Sequence, residues 1–532
     1  MSRKKKAAGA PENNGRAHDE SAQLQELLNS FDPEALAALL DAAGDVPLDE
    51  DAANFFDDFL SACIGGKMNE AEREESAELL IATLVNLRIG ADGGDRIARE
   101  QLAEIREMIE ESVAADELSL DALMTIGRVL IDADLEVPDS LKKEVVNKMG
   151  QAPVGGSVSD LTASFVEMAE GAGLDTFGAY EQLSKTLAIF PPDDALAVLK
   201  ALVLAGYPVL DRAIAGFALH KDAALAEAAL GGLAARPADE EVQRLLARMR
   251  PWLSRERLKW IDAAIKAAPG LADAGASRAG QLHKCYASAC DASGVCSLLA
   301  TRKEGGKYQA VLFMLKPTGL AEVLVLGLVD KQNLDAICHG ASLGAPLSEI
   351  AFPIFMRFLG LSLGENLAAG TLPPFSLVAA AEALDLPPAA PIESAPADII
   401  DRLLSEFPAK ARAPEKEGEF DSHVMAHAAA VAWEHTQTWF EGGPEIDALF
   451  AKVKGKKRRT EAVLKSHLPG RRDFWARQCA LSALALHSKD PTHPMWRALA
   501  VVGRDLAAGE PLDKIPLMRS VAELTAEYYV AG

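Results

Sequence analysis

Cysteines and aromatic residues are scarce in this 532-residue chain, and it has no long uninterrupted hydrophobic run. Its six cysteines, at positions 63, 285, 290, 296, 338 and 479, are too few and too scattered for a disulfide framework. The most apolar stretch, near residues 308–329, is broken by Lys316-Pro317-Thr318-Gly319, whereas a membrane span needs about 20 apolar residues in succession. The first residues, MSRKKKAAGA, are not followed by the apolar region of a signal peptide. We therefore expect a cytoplasmic protein without a membrane anchor.

Motifs for nucleotide binding and nucleophilic catalysis are also missing. The sequence has no Walker A loop, and no G-x-G-x-x-G follows a predicted strand. A G-x-S-x-G match at residues 340–344 centres on Ser342, but that motif requires a strand that turns into a helix, and the preceding residues are predicted to be helical. We therefore expect no cofactor and no catalytic residue, and the sequence favours a non-catalytic protein.

The composition is that of a large, mainly α-helical protein. Hydrophobic residues make up 49% of the chain and charged residues 25%, and the abundance of Ala and Leu favours helices. Its length and its Pro-, Gly- and Ser-rich stretches indicate several units. The predicted units are a disordered basic tail (1–20), an acidic all-α domain (21–149), a helical-repeat segment (160–268), an α+β unit (281–385), a Pro-rich linker region with a short helix (386–419) and a helical C-terminal domain (420–532).

The segment 160–268 has a repetitive pattern. PPDDALAVLKALVLAG (191–206) and HKDAALAEAALGGLAAR (220–236) share an Asp-Ala-Leu-Ala-like start, and each predicted helix is joined to the next by a short turn. The segment resembles HEAT and armadillo repeat proteins, which implies a helical-hairpin array whose concave side binds a protein partner. Tyr207, Phe217 and Trp252 are candidate anchors or core residues. Two later stretches, LPPFSLVAAAEAL and PLDKIPLMRSVAE, resemble segments of uncharacterised bacterial proteins.

The pattern changes after residue 295 from helical to β-prone. VCSLLATR, KYQAVLFML and AEVLVLGLV are short apolar runs separated by Gly305-Gly306 and by Pro317-Thr318-Gly319, which supply turn residues. We expect a small three-stranded antiparallel meander at about 296–328.

Two groups of residues resemble metal ligands. His283, Cys285, Cys290 and Cys296 lie within fourteen residues, but their spacing does not form paired zinc knuckles and no second C-x-x-C exists. Buried cysteines are the favoured interpretation, with a zinc site or a redox pair as alternatives. His423 and His427 share a helix face, and Glu434 is placed near it, but no second helix with matching ligands is identifiable. We therefore expect no bound metal at either group.

A dense basic segment contrasts with the acidic N-terminal segment. Residues 21–149 carry 30 acidic and 10 basic side chains, whereas residues 451–477 carry 10 basic and two acidic ones. The basic segment could be a solvated loop, bind an acidic partner including residues 21–149, or contact nucleic acid weakly. Its candidate contact residues are Lys452, Lys454, Lys456, Lys457, Arg458, Arg459, Arg471 and Arg472.

These features predict a non-catalytic protein interaction module or scaffold with an unidentified protein partner. The first alternative is a nucleic-acid-associated protein that uses residues 452–477. The second alternative is a metal-dependent enzyme that uses His423 and His427.

Overall fold

A computed structural model describes residues 51–65, 70–92, 95–151, 163, 165–167, 175–236, 239–265, 282–343, 345–405 and 423–529. The predicted basic tail, the linker at 269–280, most of the linker at 150–160 and residues 406–419 lie outside this set. Helices dominate the described residues, as expected. The α-helices are α1 (Asp51–Gly65), α2 (Glu70–Asp92), α3 (Arg96–Ala114), α4 (Leu120–Asp132), α5 (Asp139–Gln151), α6 (Thr176–Ala188), α7 (Pro192–Ala205), α8 (Pro208–Gly216), α9 (Ala223–Ala234), α10 (Glu240–Met249), α11 (Arg255–Ile265), α12 (Lys331–Leu343), α13 (Phe352–Ala369), α14 (Ser376–Ala383), α15 (Pro396–Ser405), α16 (His423–Ala432), α17 (Pro444–Lys452), α18 (Lys456–Ala462), α19 (Arg472–Lys489), α20 (Pro494–Ala507) and α21 (Pro516–Tyr528).

The helices from α1 to α11 pack mainly on their next-but-one neighbours. One layer contains α2, α4, α6, α8 and α10, each of which contacts the next. Two shorter stacks lie beside this layer, the first made of α1, α3 and α5 and the second of α7, α9 and α11. The helices α6, α8 and α10 begin at Thr176, Pro208 and Glu240, which are 32 residues apart. This alternation is how helical hairpins stack, because one pair alone cannot bury its apolar face. We call the helices α1 to α11 the helical array.

Short turns with defined caps separate the helices of the array. Asp175, Asp222 and Asp239 each accept hydrogen bonds from backbone N–H groups at the start of the next helix, as N-cap residues do. Of the three candidate aromatic anchors, Phe217 and Trp252 are buried in the core, while Tyr207 is exposed. The indole N–H of Trp252 donates to the carbonyl of Ala389, which ties the array to the chain after α14.

His220 makes the stability of the array pH-dependent. Its Nδ1 accepts a hydrogen bond from the Asp222 backbone N–H, and burial, aided by Lys221 and Arg257, lowers the pKa of His220 to about 4 despite the nearby Asp222 carboxylate. The unfolded chain, with a pKa near 6.5, binds this proton more readily, so stability is lost as the pH falls from about 6.5 towards 4. We expect a loss of about 2 kcal/mol over that range.

The replacement His220→Asn should flatten this part of the pH profile, because an amide oxygen can accept the same N–H but does not titrate. Urea unfolding of the wild type and of the variant at pH 7 and pH 5 measures the difference. An equally steep profile in the variant would show that another group is responsible.

Five antiparallel strands form one small sheet. They are β1 (Leu282–Ser288), β2 (Cys296–Glu304), β3 (Lys307–Lys316), β4 (Gly319–Val329) and β5 (Leu347–Ile350), in the order β4-β3-β2-β1-β5. The predicted meander corresponds to β2, β3 and β4, and its turns use Gly305, Gly306 and Gly319 with positive φ. The sheet has two more strands than expected. Residues 282–288 pair with both β2 and β5, so the first part of the cysteine cluster lies on a strand.

Helices cover both faces of the sheet. On one face Leu334 of α12 packs with Leu299 and Ala310, and on the other Phe355 of α13 packs edge-on against Phe313, with ring centroids 5.4 Å apart. The alternation of side chains along a strand explains how β2 and β3 contribute to both cores. The sheet therefore forms the middle layer between α12 and α13.

The C-terminal helices α15 to α21 pack against β5 and β1 through α19. Arg477 of α19 is buried and forms a two-pronged ion pair with Glu365 of α13, including a 2.8 Å contact between Nη2 and Oε2. Its guanidinium also donates to the carbonyls of Gly294 and Lys316. One side chain thus joins the C-terminal helices, α13 and two turns of the sheet.

None of the helices in the described part of the chain combines the length and the hydrophobicity that a membrane span requires.

Candidate functional sites

Two helices of the C-terminal domain bring two histidines and one aspartate together. His423 and His427 lie one turn apart on α16, and Asp505 lies on α20. Oδ2 of Asp505 is 2.8 Å from Nε2 of His427 and also contacts Nε2 of His423, and the two Nε2 atoms are 3.4 Å apart. The ligand atoms of the three residues all lie within 4.8 Å of one another. We call these three residues the His–His–Asp cluster.

Small residues let the neighbouring helices pack closely around the cluster. Helix α16 is rich in alanine, and its Ala426 and Ala430 are buried in the core. On α20, Gly503 faces α15 and α19, where a Cβ atom would lie 2.7 Å from Cδ1 of Ile400 and 3.1 Å from Cβ of Cys479. Helix α20 is therefore held between α15, α16 and α19, which fixes the position of Asp505 two residues later.

The cluster has one buried side and one open side. The side chains of His427 and Asp505 are 3% and 10% exposed, whereas that of His423 is 56% exposed. Nδ1 of His427 is buried and has no hydrogen-bond partner among the described residues. The guanidinium of Arg504 is 3.9 Å from Oδ1 of Asp505. A small ligand could therefore reach the cluster from the side of His423.

Glu434, which the sequence placed near His423 and His427, is not part of the cluster. Helix α16 ends at Ala432, Trp433 is extended, and Glu434 begins a 3₁₀ helix that turns its exposed side chain elsewhere. Glu434 was a candidate ligand only if the helix continued past it, and α16 ends before it. The acidic partner is Asp505, which lies 78 residues after His427 in the sequence.

The residues of the cysteine cluster do not converge on one point. His283 is exposed on β1 and contacts the ring of Tyr308 at a tilt, while Cys285, Cys290 and Cys296 are buried. The Cys290 and Cys296 thiols share a hydrogen bond, which with the charge of Arg477 lowers the pKa of Cys290 against its burial. No group of metal-ligand type that includes these residues occurs in the described part of the chain. The carbonyl of Cys290 accepts a 2.7 Å hydrogen bond from Nε2 of His435, so both residues have a structural role.

Ser342 is also a structural residue. It lies near the end of α12, and its hydroxyl donates to the carbonyl of His339 at 2.7 Å. A helix rather than a strand precedes it, as the sequence predicted.

Four of the eight basic candidates already form ion pairs, hydrogen bonds or cation–π contacts within the protein. Lys456 pairs with Glu527, Arg471 pairs with the buried Glu441, and Arg472 donates to the carbonyls of Leu506 and Glu510. Arg459 lies over the rings of Phe450 and Tyr529 and donates to the carbonyl of Val453. The other four are exposed and form no ion pair with a described residue; they are Lys452, Lys454, Lys457 and Arg458. We call these four the free basic strip.

The acidic N-terminal helices contact the C-terminal domain through an ion pair outside the basic segment 451–477. Nη2 of Arg99 on α3 is 2.7 Å from Oδ2 of Asp447 on α17. The basic partner is thus supplied by the acidic segment. Neither Arg99 nor Asp447 is one of the eight basic candidates, so this ion pair is separate from the basic segment.

A cavity of about 730 Å³ lies where the array meets α13, α14 and the chain between them. Two cations in its wall are already engaged, because Lys185 pairs with Asp132 and Glu181, and Arg257 donates to the carbonyls of Ala218, His220 and Lys221. The cavity therefore offers less free positive charge than its residue types suggest.

Comparisons with known proteins match two stretches of the chain. Residues 191–270 match the family model of the Y4lR second domain, and residues 397–530 match that of the Y4lR C-terminal helical domain. No solved structure matches the chain. The uncharacterized protein y4lR of Sinorhizobium fredii (strain NBRC 101917 / NGR234) is 24% identical over 474 residues, which cover 86% of this chain and 89% of that protein. The chain is thus similar to y4lR over most of its length, and all three residues of the His–His–Asp cluster fall in the C-terminal match.

Proposed function

We propose that this chain is a cytoplasmic, non-catalytic scaffold that binds a protein partner through its helical array, as HEAT and armadillo repeat proteins do. The alternating packing of α1 to α11 is the observation that carries the proposal. Stacked hairpins expose a continuous surface to which every hairpin contributes, and such surfaces suit extended partners. The absence of disulfides among the six cysteines is consistent with a reducing compartment.

Exposed apolar side chains on the array are candidates for this contact. Leu204, at the end of α7, is 85% exposed, and Tyr207 follows it at the start of α8. Large exposed apolar residues also occur on α2 and α3, namely Leu79, Ile89 and Ile97. Aromatic and aliphatic side chains of this kind supply much of the binding energy of protein interfaces when a partner buries them.

Nucleic-acid binding is less well supported than protein binding. The free basic strip has four cations, and phosphate contacts by so few residues give weak, salt-sensitive binding. The aromatic rings of Phe450 and Tyr529, which line the same pocket as Lys454, already contact the guanidinium of Arg459, so they are not free platforms for bases. The net charge of −24 also opposes the approach of a polyanion.

Affinity purification of the full chain from its native cell, with and without nuclease, tests the proposal. We expect one protein partner whose recovery does not change with nuclease and is lost in the double variant Leu204→Glu, Tyr207→Glu. Leu328→Glu, an exposed apolar position outside the array, is the matched control and should retain the partner. The variant with all four residues of the free basic strip replaced by Ala should also retain it.

Two outcomes would contradict this function. If nuclease removes the partner and the basic-strip variant no longer binds it, the nucleic-acid alternative gains support. If the array variant and the Leu328→Glu control recover the partner equally, this surface of the array is not the binding site.

A further inference from the structure

We infer that the C-terminal domain binds one divalent transition-metal ion through Nε2 of His423, Nε2 of His427 and a carboxylate oxygen of Asp505. This inference is independent of the scaffold function, because it depends only on α16 and α20. The sequence argued against a metal because no second helix with matching ligands was identifiable, and the fold supplies one acidic ligand from a distant helix.

Two of the three spacings between the ligand atoms match those of a coordination sphere, and the third, between His423 and Asp505, is shorter. Around a tetrahedral ion with bonds of about 2.0 to 2.1 Å, neighbouring ligand atoms lie about 3.3 Å apart, and around an octahedral ion about 2.9 Å apart. The 3.4 Å between the two imidazole nitrogens and the 2.8 Å between His427 and Asp505 fall close to these two values. A single ion can therefore contact all three atoms after small side-chain movements.

The arrangement of nitrogens also suits a cation. Without a metal, both imidazoles donate Nε2–H to the same oxygen of Asp505, so all three atoms already converge on one point. With a metal, the lone pairs of both nitrogens and of the oxygen would instead bind one positive charge. This charge would also neutralise the carboxylate of Asp505, whose burial is costly when it is unpaired.

The ligand set determines the class of metal. Two imidazoles and one carboxylate suit zinc, iron(II) or cobalt(II), whereas magnesium and calcium prefer oxygen ligands. Three protein ligands leave at least one position for water, and the exposed side of His423 lets water and ions enter. Since Nδ1 of His427 has no described acceptor, we expect an affinity about 10- to 100-fold below that of a site with a complete outer shell.

Metal titration of the untagged, full-length chain tests the inference. After treatment with a chelator and buffer exchange, the protein is titrated with Co²⁺, followed by its visible absorption, and with Zn²⁺ in competition with a chromophoric chelator. We expect one equivalent of either ion per chain. His423→Gln and Asp505→Asn should each weaken binding by more than about 100-fold, because each removes or neutralises a direct ligand.

His339→Gln provides the matched control, since it makes the same change at an exposed histidine of α12. Its metal affinity should equal that of the wild type. His423 is half exposed, so its replacement should leave the circular dichroism spectrum unchanged even if Asp505→Asn perturbs folding. Failure of the wild type to bind one equivalent, or unchanged affinity in His423→Gln, would overturn the inference.

Discussion

Replacing Arg477 with Met is expected to lower the free energy of unfolding by about 3 to 5 kcal/mol, a large effect for a single side chain. The change removes both ion-pair contacts with Glu365 and the hydrogen bonds to the carbonyls of Gly294 and Lys316. Burial alone would lower the pKa of the guanidinium, but Glu365 raises it above its ordinary range, so the charged form is held firmly. Methionine fills much of the volume but leaves these partners without a donor.

Lys465→Met is the matched control for Arg477→Met. Lys465 also pairs with a glutamate, Glu461, but its side chain is exposed, and pairs of that kind contribute at most about 1 kcal/mol. Urea unfolding of both variants measures the difference, and hydrogen exchange at the turn between β3 and β4 tests whether the loss is local. If Arg477→Met and Lys465→Met have the same unfolding midpoint, the buried ion pair does not join the C-terminal helices to the sheet.

The mainly helical fold could be predicted because its signals are local. Apolar periodicity identified the helices, and the turn residues Gly305, Gly306 and Gly319 correctly bounded β2, β3 and β4. Strands β1 and β5 could not be found in the same way. The four residues of β5 are too few to show a pattern, and β1 is recognisable only through its pairing with β2 and β5.

The His–His–Asp cluster was half predictable. The spacing of His423 and His427 placed them on one face of a helix, which is correct. Asp505 could not be assigned to them, because the packing of α16 on α20 joins segments that lie far apart in sequence. One signal was present: Asp505 lies three residues after Val502 and seven after Ala498, on the apolar stripe of α20, where a charged residue needs a partner.

The basic segment shows why charge density alone overstates a contact surface. A count of residues 451–477 treats all ten cations as equal, yet Arg477 is buried, Arg471 binds a buried glutamate, and Arg459 lies against two aromatic rings. Only the fold distinguishes these from the free basic strip. A variant aimed at the whole segment would therefore lose stability as well as charge, which is why the test above replaces the four exposed residues.

The glycine face of α13 leads to the second large expected effect. The chain after α14 crosses α13 at Gly360 and Gly364, where the backbone N–H of Ile392 donates to the Gly360 carbonyl at 2.7 Å. A Cβ atom at Gly364 would lie 2.2 Å from the carbonyl oxygen of Ile392 and 2.7 Å from its carbon. Both are backbone atoms, so the crossing segment would have to move and could not adjust by a change of rotamer.

We expect Gly364→Ala to lower the free energy of unfolding by about 3 kcal/mol, at the upper end of the range for overpacking. The matched control is Gly231→Ala in α9, where no atom lies within 4 Å of the added Cβ, and alanine should there stabilise the helix by about 0.5 to 1 kcal/mol. Urea unfolding compares the two variants.

Because Trp252 of the array donates to Ala389 in the same crossing segment, hydrogen exchange should also increase around residues 389–393 in Gly364→Ala. If both alanine variants are as stable as the wild type or more stable, the crossing segment is not packed tightly on α13.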